Sequence, residues 1–277
     1  MPAGLLFDAV RRRLVVCDMS MHIVVCLDVS ESSVNLVWQH GSVRTAGNSP
    51  LLLQQPRGCA LSLDGARIHV TDSGNHRIVT LHAETGEFES AFGSSGSGAD
   101  QFQVPCGIAV AAGSGHVWVA DQNNNRVSVF DGDARPWRLV EHICGPFRGK
   151  TIETPFAVTT SPAGFVYLST RSSHCIHVFD ASTREYVQSF GSTAHAREHH
   201  IGKPRALCIV ETELYVCDEE NHRVVVADAA TGEGRIALGD EHSAAGFMWG
   251  MCVDAGEGEV FVSDSDARRV LVFAMMR

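Results

Sequence analysis

Short apolar runs of four to six residues, rich in Val and bounded by Gly, Asn and Asp clusters, recur along the whole chain. One set comprises Gly107 to Val110, Val117 to Ala120 and Val127 to Phe130, preceded by a Gly/Ser-rich turn and divided by Asp121-Gln-Asn-Asn-Asn125. Runs this short between turn-forming residues predict strands joined by tight turns.

The set repeats six times. Aligned on the residue that ends each second run, the copies carry Asp18, Asp72, Asp121, Thr170, Asp218 and Asp264. Those positions lie 46 to 54 residues apart, the period that a four-stranded propeller blade requires. Each is preceded by an opening residue, Pro2, Pro56, Pro105, Pro155, Pro204 or Met248, and two places after the opening come Gly4, Gly58, Gly107, Ala157, Ala206 and Gly250. Sheets converging on an axis leave least room at the innermost strand, so a residue without a bulky side chain is expected there. Three places before the aligned position stand Val15, His69, Trp118, Tyr167, Tyr215 and Phe261. These large side chains are expected to fill the wider wedge between blades, with His69 packed and hydrogen-bonded.

A more polar fourth run follows in five copies, Val34 to Gln39, Phe88 to Phe92, Trp137 to Ile143, Tyr186 to Phe190 and Arg235 to Leu238, and none follows in the sixth. The predicted fold is therefore all-β: a six-bladed β-propeller of four-stranded antiparallel blades, the last lacking its outer strand. A single domain is expected over 1–277, with repeats at about 1–41, 55–93, 104–145, 154–191, 203–239 and 247–277. Val270 to Phe273 would then be an uncovered edge open to pairing by a partner strand or a second copy.

The stretch Phe92 to Asp131 reads FG-x-x-G-x-G-x-x-x-F-x-x-P-x-G-I-A-V followed by V-A-D-x-x-N-x-R-V-x-V-F-D, and it resembles an NHL repeat. Asp72-Ser-Gly-Asn-His-Arg-Ile78 and Asp218-Glu-Glu-Asn-His-Arg-Val224 are similar to the same signature. The match weakens where Ile23 and Cys175 replace the turn Arg and Thr170 replaces the Asp. The resemblance implies a β-propeller, commonly six-bladed, from a family whose members include substrate-binding parts of ubiquitin ligases, RNA-binding regulators, sensor domains and a zinc-dependent lyase. Fold alone does not choose among these.

Composition narrows the field. A net charge of -10 opposes non-specific attraction to phosphate backbones. Nine cysteines without a CxxC pair read as small core residues in a reducing compartment. No run approaches the ~20 apolar residues of a membrane span, and the start lacks a signal-peptide pattern, so no membrane association and a cytoplasmic location are expected.

Four turn pairs, Asp72 with Arg77, Asp121 with Arg126, Asp218 with Arg223 and Asp264 with Arg269, repeat too often to be one active site and read as turn clasps. Beside them His22, His76, Asn125, His174, His222 and Arg268 form a second ring. Neighbouring members should sit on the order of 10 Å apart, too far to share a zinc ion held at ~2.0 to 2.1 Å. His195, His199 and His200 are a weak local metal candidate, lacking the catalytic Glu of a helical zinc motif. No cofactor is expected.

The residues after each opening position, Ala3, Arg57, Cys106, Phe156, Arg205 and Trp249, are expected at the mouth of the central channel. In the lyase relatives several of these are zinc-binding His, and here none is, which disfavours a metal-dependent lyase or hydrolase. Two Arg, two aromatics and a Cys suit an anionic or peptide-like ligand and lack an acid–base pair. The first reading is a non-catalytic module binding a protein or peptide through Arg57, Cys106, Phe156, Arg205 and Trp249. The alternative is RNA binding through Arg148, Lys150, Arg197, Lys203 and Arg205, a basic set interrupted by Glu153 and Glu198.

Overall fold

In a computed structural model, all residues are described except 31–32, 135, 192–200, 239–247 and 276–277. Six antiparallel sheets follow one another along the chain, each with its strands in sequence order. The innermost strands are Pro2–Asp8, Pro56–Leu61, Pro105–Val110, Pro155–Thr160, Pro204–Val210 and Met248–Asp254. Five blades add an outer strand, Asn35–Gly41, Phe88–Phe92, Arg138–Ile143, Tyr186–Phe190 and Gly234–Leu238, whereas the sixth ends with its third strand, Arg269–Ala274. Among the described residues that strand pairs on one side only, leaving Val272 54% exposed on the free blade.

Every innermost strand loses register just after its opening residue, as between Pro105 and Ile108 or Met248 and Met251. Such bulges sharpen the local twist and turn the strand toward the axis. The small residues expected at the hub are there because backbone meets backbone. A Cβ on Gly107 would lie 2.6 Å from the Phe156 carbonyl oxygen, and Cβ atoms on Gly4, Gly58 and Gly250 would collide with the carbonyls of Arg57, Cys106 and Ala3. Each glycine thus fits against the next blade around the ring.

The wedges between blades hold the core, one apolar cluster per junction. Val15, His69, Trp118, Tyr167, Tyr215 and Phe261 are all buried. His69 Nδ1 lies 3.0 Å from Thr80 Oγ1 and its ring meets Trp137 edge-on at 4.8 Å. A position without any sequence expectation, the residue before each aligned Asp or Thr, alternates in kind. In even blades it is Thr71, Ser169 or Ser263, whose hydroxyl accepts from its own innermost strand and donates to the carbonyl of Cys106, Arg205 or Ala3 on the next. Odd blades carry Cys17, Ala120 and Cys217 there, so hydroxyl relays join alternate junctions.

The ring closes through side chains. Between blades six and one, Ser265 Oγ donates to the Pro2 carbonyl at 2.6 Å, Arg12 pairs with Asp254 at 2.6 Å and Phe7 stacks on Phe261.

Candidate functional site

The repeated turn residues are used up in holding blades to their entry loops. Asp121 Oδ2 accepts from Arg126 Nε at 2.8 Å and Asn124 Nδ2 at 2.7 Å, while Oδ1 accepts from the Gln103 backbone at 2.7 Å. Arg126 then donates to the carbonyls of Ser97, Gly98 and Gln101. Asp72 with Arg77 repeats this arrangement, and Asp218 with Arg223 and Asp264 with Arg269 repeat the ion pair at 3.2 Å. Burial pushes the Asp72 and Asp218 carboxyls up from their ordinary values despite these hydrogen bonds.

Four members of the second ring act as latches. His22, His76 and His174 accept through Nδ1 at 3.1 Å from the backbone N–H of Gln55, Val104 and Lys203, and Asn125 Oδ1 does the same for Thr154 at 2.9 Å. Each acceptor belongs to one blade and each donor precedes the proline that opens the next. Both partners sit in the left-handed region, His76 at φ 56° and Val104 at φ 58°, where His and Asn are enriched and a β-branched residue is strained.

At the channel mouth the structure brings Arg57, Phe156, Arg205 and Trp249 together. The Arg205 guanidinium lies 4.2 Å from the Trp249 ring centroid and 5.2 Å from that of Phe156; Phe156 and Trp249 meet edge-on at 5.3 Å, and Arg57 lies 5.6 Å from Trp249. Arg205 is 3% exposed and Phe156 7%, whereas Arg57 and Trp249 are half-buried. Glu219 accepts from Arg205 Nε and Nη2 at 2.6 and 2.9 Å and from Arg171 at 2.8 and 3.0 Å. Burial would raise the Glu219 carboxyl, yet the hydrogen bonds from Arg171 and Arg205 hold it below its ordinary value. Arg57 donates to Gln122 Oε1 at 2.9 Å and to Cys106 Sγ at 3.1 Å, and burial pushes the Cys106 thiol up, keeping it neutral. A neutral, 2% exposed thiol without an adjacent base is poorly suited to act as a nucleophile.

The channel under this cluster encloses about 80 Å³, well short of the ~300 Å³ at which small-molecule pockets begin. It has room for a small group, not for a drug-sized substrate.

The family model for the NHL repeat matches residues 102–130, the stretch that supplies Phe102, the opening Pro105 and the Asp121–Arg126 clasp. The chain is also 32% identical over 122 residues to NHL repeat-containing protein 3 of Mus musculus; the match takes in 43% of this chain and 33% of that protein's length. The blade count, the repeat signature and the relative agree. This chain is a six-bladed β-propeller that carries an NHL repeat at residues 102–130.

Solved structures extend the likeness of fold. A nidogen/laminin complex shares a TM-score of 0.67 at 17% identity, covering 90% of this chain and 83% of that one. A catalytically inactive virginiamycin B lyase from Staphylococcus aureus, solved with quinupristin, gives 0.64 at 12% identity, with 99% and 84% covered. An auxiliary nutrient binding protein from Bacteroides thetaiotaomicron gives 0.71 at 15%, with 97% and 68% covered. Identities this low relate folds and leave the chemistry of this propeller to its own residues.

The basic set does not converge. Lys150 is engaged with the Gly191 carbonyl at 3.0 Å and Cys175 Sγ at 3.3 Å, Arg205 is buried against Glu219, and Arg148 lies over Tyr186 at 5.9 Å. Lys203 is half-buried, and Arg197, His195, His199 and His200 lie outside the described residues. Among the described residues there is no cluster of three His, Cys, Asp or Glu arranged to hold a metal, and no helix is long and apolar enough to cross a membrane. Glu219, Arg171 and Gln122 escaped sequence reasoning although they organise the mouth. Their signal was available: each directly follows the aligned position, where the six copies read Met19, Ser73, Gln122, Arg171, Glu219 and Ser265. A place that varies freely between constant neighbours is where one blade differs in task from the next.

Proposed function

We propose that this propeller is a non-catalytic module that binds a protein or peptide at its channel mouth, with Arg57 and Trp249 at the contact surface. Arg205, Phe156 and Cys106 pack against them. The observation that carries this reading is the stacked Arg57–Trp249–Arg205–Phe156 cluster over a channel too narrow for a small-molecule substrate. Trp and Arg held in a packed setting are the residue types that most often dominate interface energy. No acid–base pair accompanies them: the one carboxylate in the cluster, Glu219, is committed to two guanidiniums.

Affinity recovery of partners by the intact propeller should therefore be lost in Trp249→Ala and in Arg57→Ala. Trp249→Ala also gives up the ring contacts with Arg205 and Phe156 and should lower the melting temperature, so both variants are shown to be folded at the assay temperature before recovery is read. Arg205→Ala is the poorer probe, since it takes one of two guanidinium partners from the buried Glu219 and confounds folding with binding. Unchanged recovery by the folded rim variants would refute the assignment.

A further inference from the structure

Among the described residues, the channel mouth holds more positive charge than it neutralises. Arg171 and Arg205 both pair with Glu219, while among the described residues the third guanidinium, Arg57, is hydrogen-bonded to the neutral Gln122 and Cys106. Two buried donors at this spot, Arg57 Nε and Trp249 Nε1, have no hydrogen-bond partner among the described residues. Both residues line the channel, and the Arg57 guanidinium lies 5.6 Å from the Trp249 ring. Burying a donor unmatched is unfavourable, more so when it is charged. Two such donors on neighbouring residues that line one narrow channel mark the place for an acceptor brought from outside.

The chemistry of that acceptor follows from the donors. A planar carboxylate offers two oxygens to two N–H groups, and charge-assisted bonds of this kind are the stronger ones. A phosphate dianion brings three acceptor oxygens and more bulk, and the remaining guanidiniums are already occupied by Glu219. Resting on the channel-mouth reading above, we propose that Arg57 Nε and Trp249 Nε1 form a carboxylate seat that takes an acidic side chain or the C-terminal carboxylate of a bound peptide.

The test reads the seat directly. The chain has four Trp, so the indole N–H of Trp249 can be assigned in a nitrogen–proton correlation spectrum with Trp249→Phe. Titration of the wild-type propeller with sodium acetate, at ionic strength held constant with sodium chloride, should move that resonance saturably. Chloride alone should not, and sodium phosphate should bind more weakly than acetate. Arg57→Gln should weaken the acetate response roughly tenfold or more. Acetyl-glutamate amide and acetyl-alanine, which carry the carboxylate on a side chain and at a chain end, then show which source the seat prefers; a response to either supports it.

No saturable movement with acetate, an equal response in Arg57→Gln, or tighter binding of phosphate would overturn the proposal. If Arg57→Gln fails to fold, the comparison of acetate with chloride on the wild type still decides. Partner recovery reads the whole face and this titration only the seat, so recovery dependent on Trp249 without an acetate response would overturn the seat alone.

Discussion

The Arg205 guanidinium lies 4.2 Å from the ring centroid of Trp249, although the two residues sit on the innermost strands of different blades. Their contact crosses the junction between blades five and six. A desolvated cation–π contact of this kind contributes ~2 kcal/mol, and it fixes the orientation in which Trp249 faces the mouth. The stack in turn depends on Glu219, which anchors the far side of the guanidinium.

Glu219→Ala should therefore destabilise the propeller by about 3 to 5 kcal/mol, because it removes the carboxylate paired with the buried Arg205. Urea unfolding checks the loss, and the paired change Glu219→Leu with Arg205→Met should recover most of it. The dependence on pH has a definite sign. A carboxyl held below its ordinary value contributes stability that is full above ~4.3 and is lost as pH falls through its folded value. Glu219→Gln should remove that part of the acid loss.

His177 supplies a second, separable acid response. It is fully buried, and burial foremost, then Lys150, pushes its pKa down to about 4. A depressed histidine favours the folded state above its ordinary value of ~6.5, and that contribution disappears as pH falls toward 4. The wild type should lose about 3 kcal/mol over this window from His177 alone, and His177→Leu should lose correspondingly less. Parallel stability–pH curves for the two would show that the histidine is not the cause.

Gly250→Ala should cost about 3 kcal/mol, since the new methyl would run into the Ala3 carbonyl across the closing junction. A rigid backbone on both sides leaves little room for relief. The melting temperature of this variant against Gly256→Ala, an exposed turn control whose added Cβ would meet the Asp254 carboxylate, reads the difference.

The latch at His76 should accept Asn and refuse Leu. Asn125 already performs the same task in the next blade, tolerates the left-handed backbone and offers an acceptor oxygen. His76→Asn should keep stability within ~0.5 kcal/mol of wild type. His76→Leu leaves the Val104 N–H unmatched and should lose ~1 to 3 kcal/mol, measured by chemical denaturation.

The blade count, the strand order within blades and the small residues of the hub were legible in the chain because all three are set by local rules repeated six times. Alternating apolar runs make strands, Gly and Asn clusters make turns, and crowding at an axis forbids side chains two places after each opening residue. The wedge residues from Val15 to Phe261 followed the same logic, and so did the reading of His69 as a packed core residue.

The mouth was legible only as a set of names. That Arg57, Phe156, Arg205 and Trp249 share one end of the channel follows from their matched positions. That Arg205 is buried against Trp249, that Glu219 joins it to Arg171, and that Arg57 is left facing neutral partners was decided by closure of the ring. Each of those relationships joins residues on different blades or on opposite sides of the axis, and hydrogen bonds, stacking and ion pairing act only over a few ångströms. Sequence spacing carries no information at that range until the blades have closed into a ring.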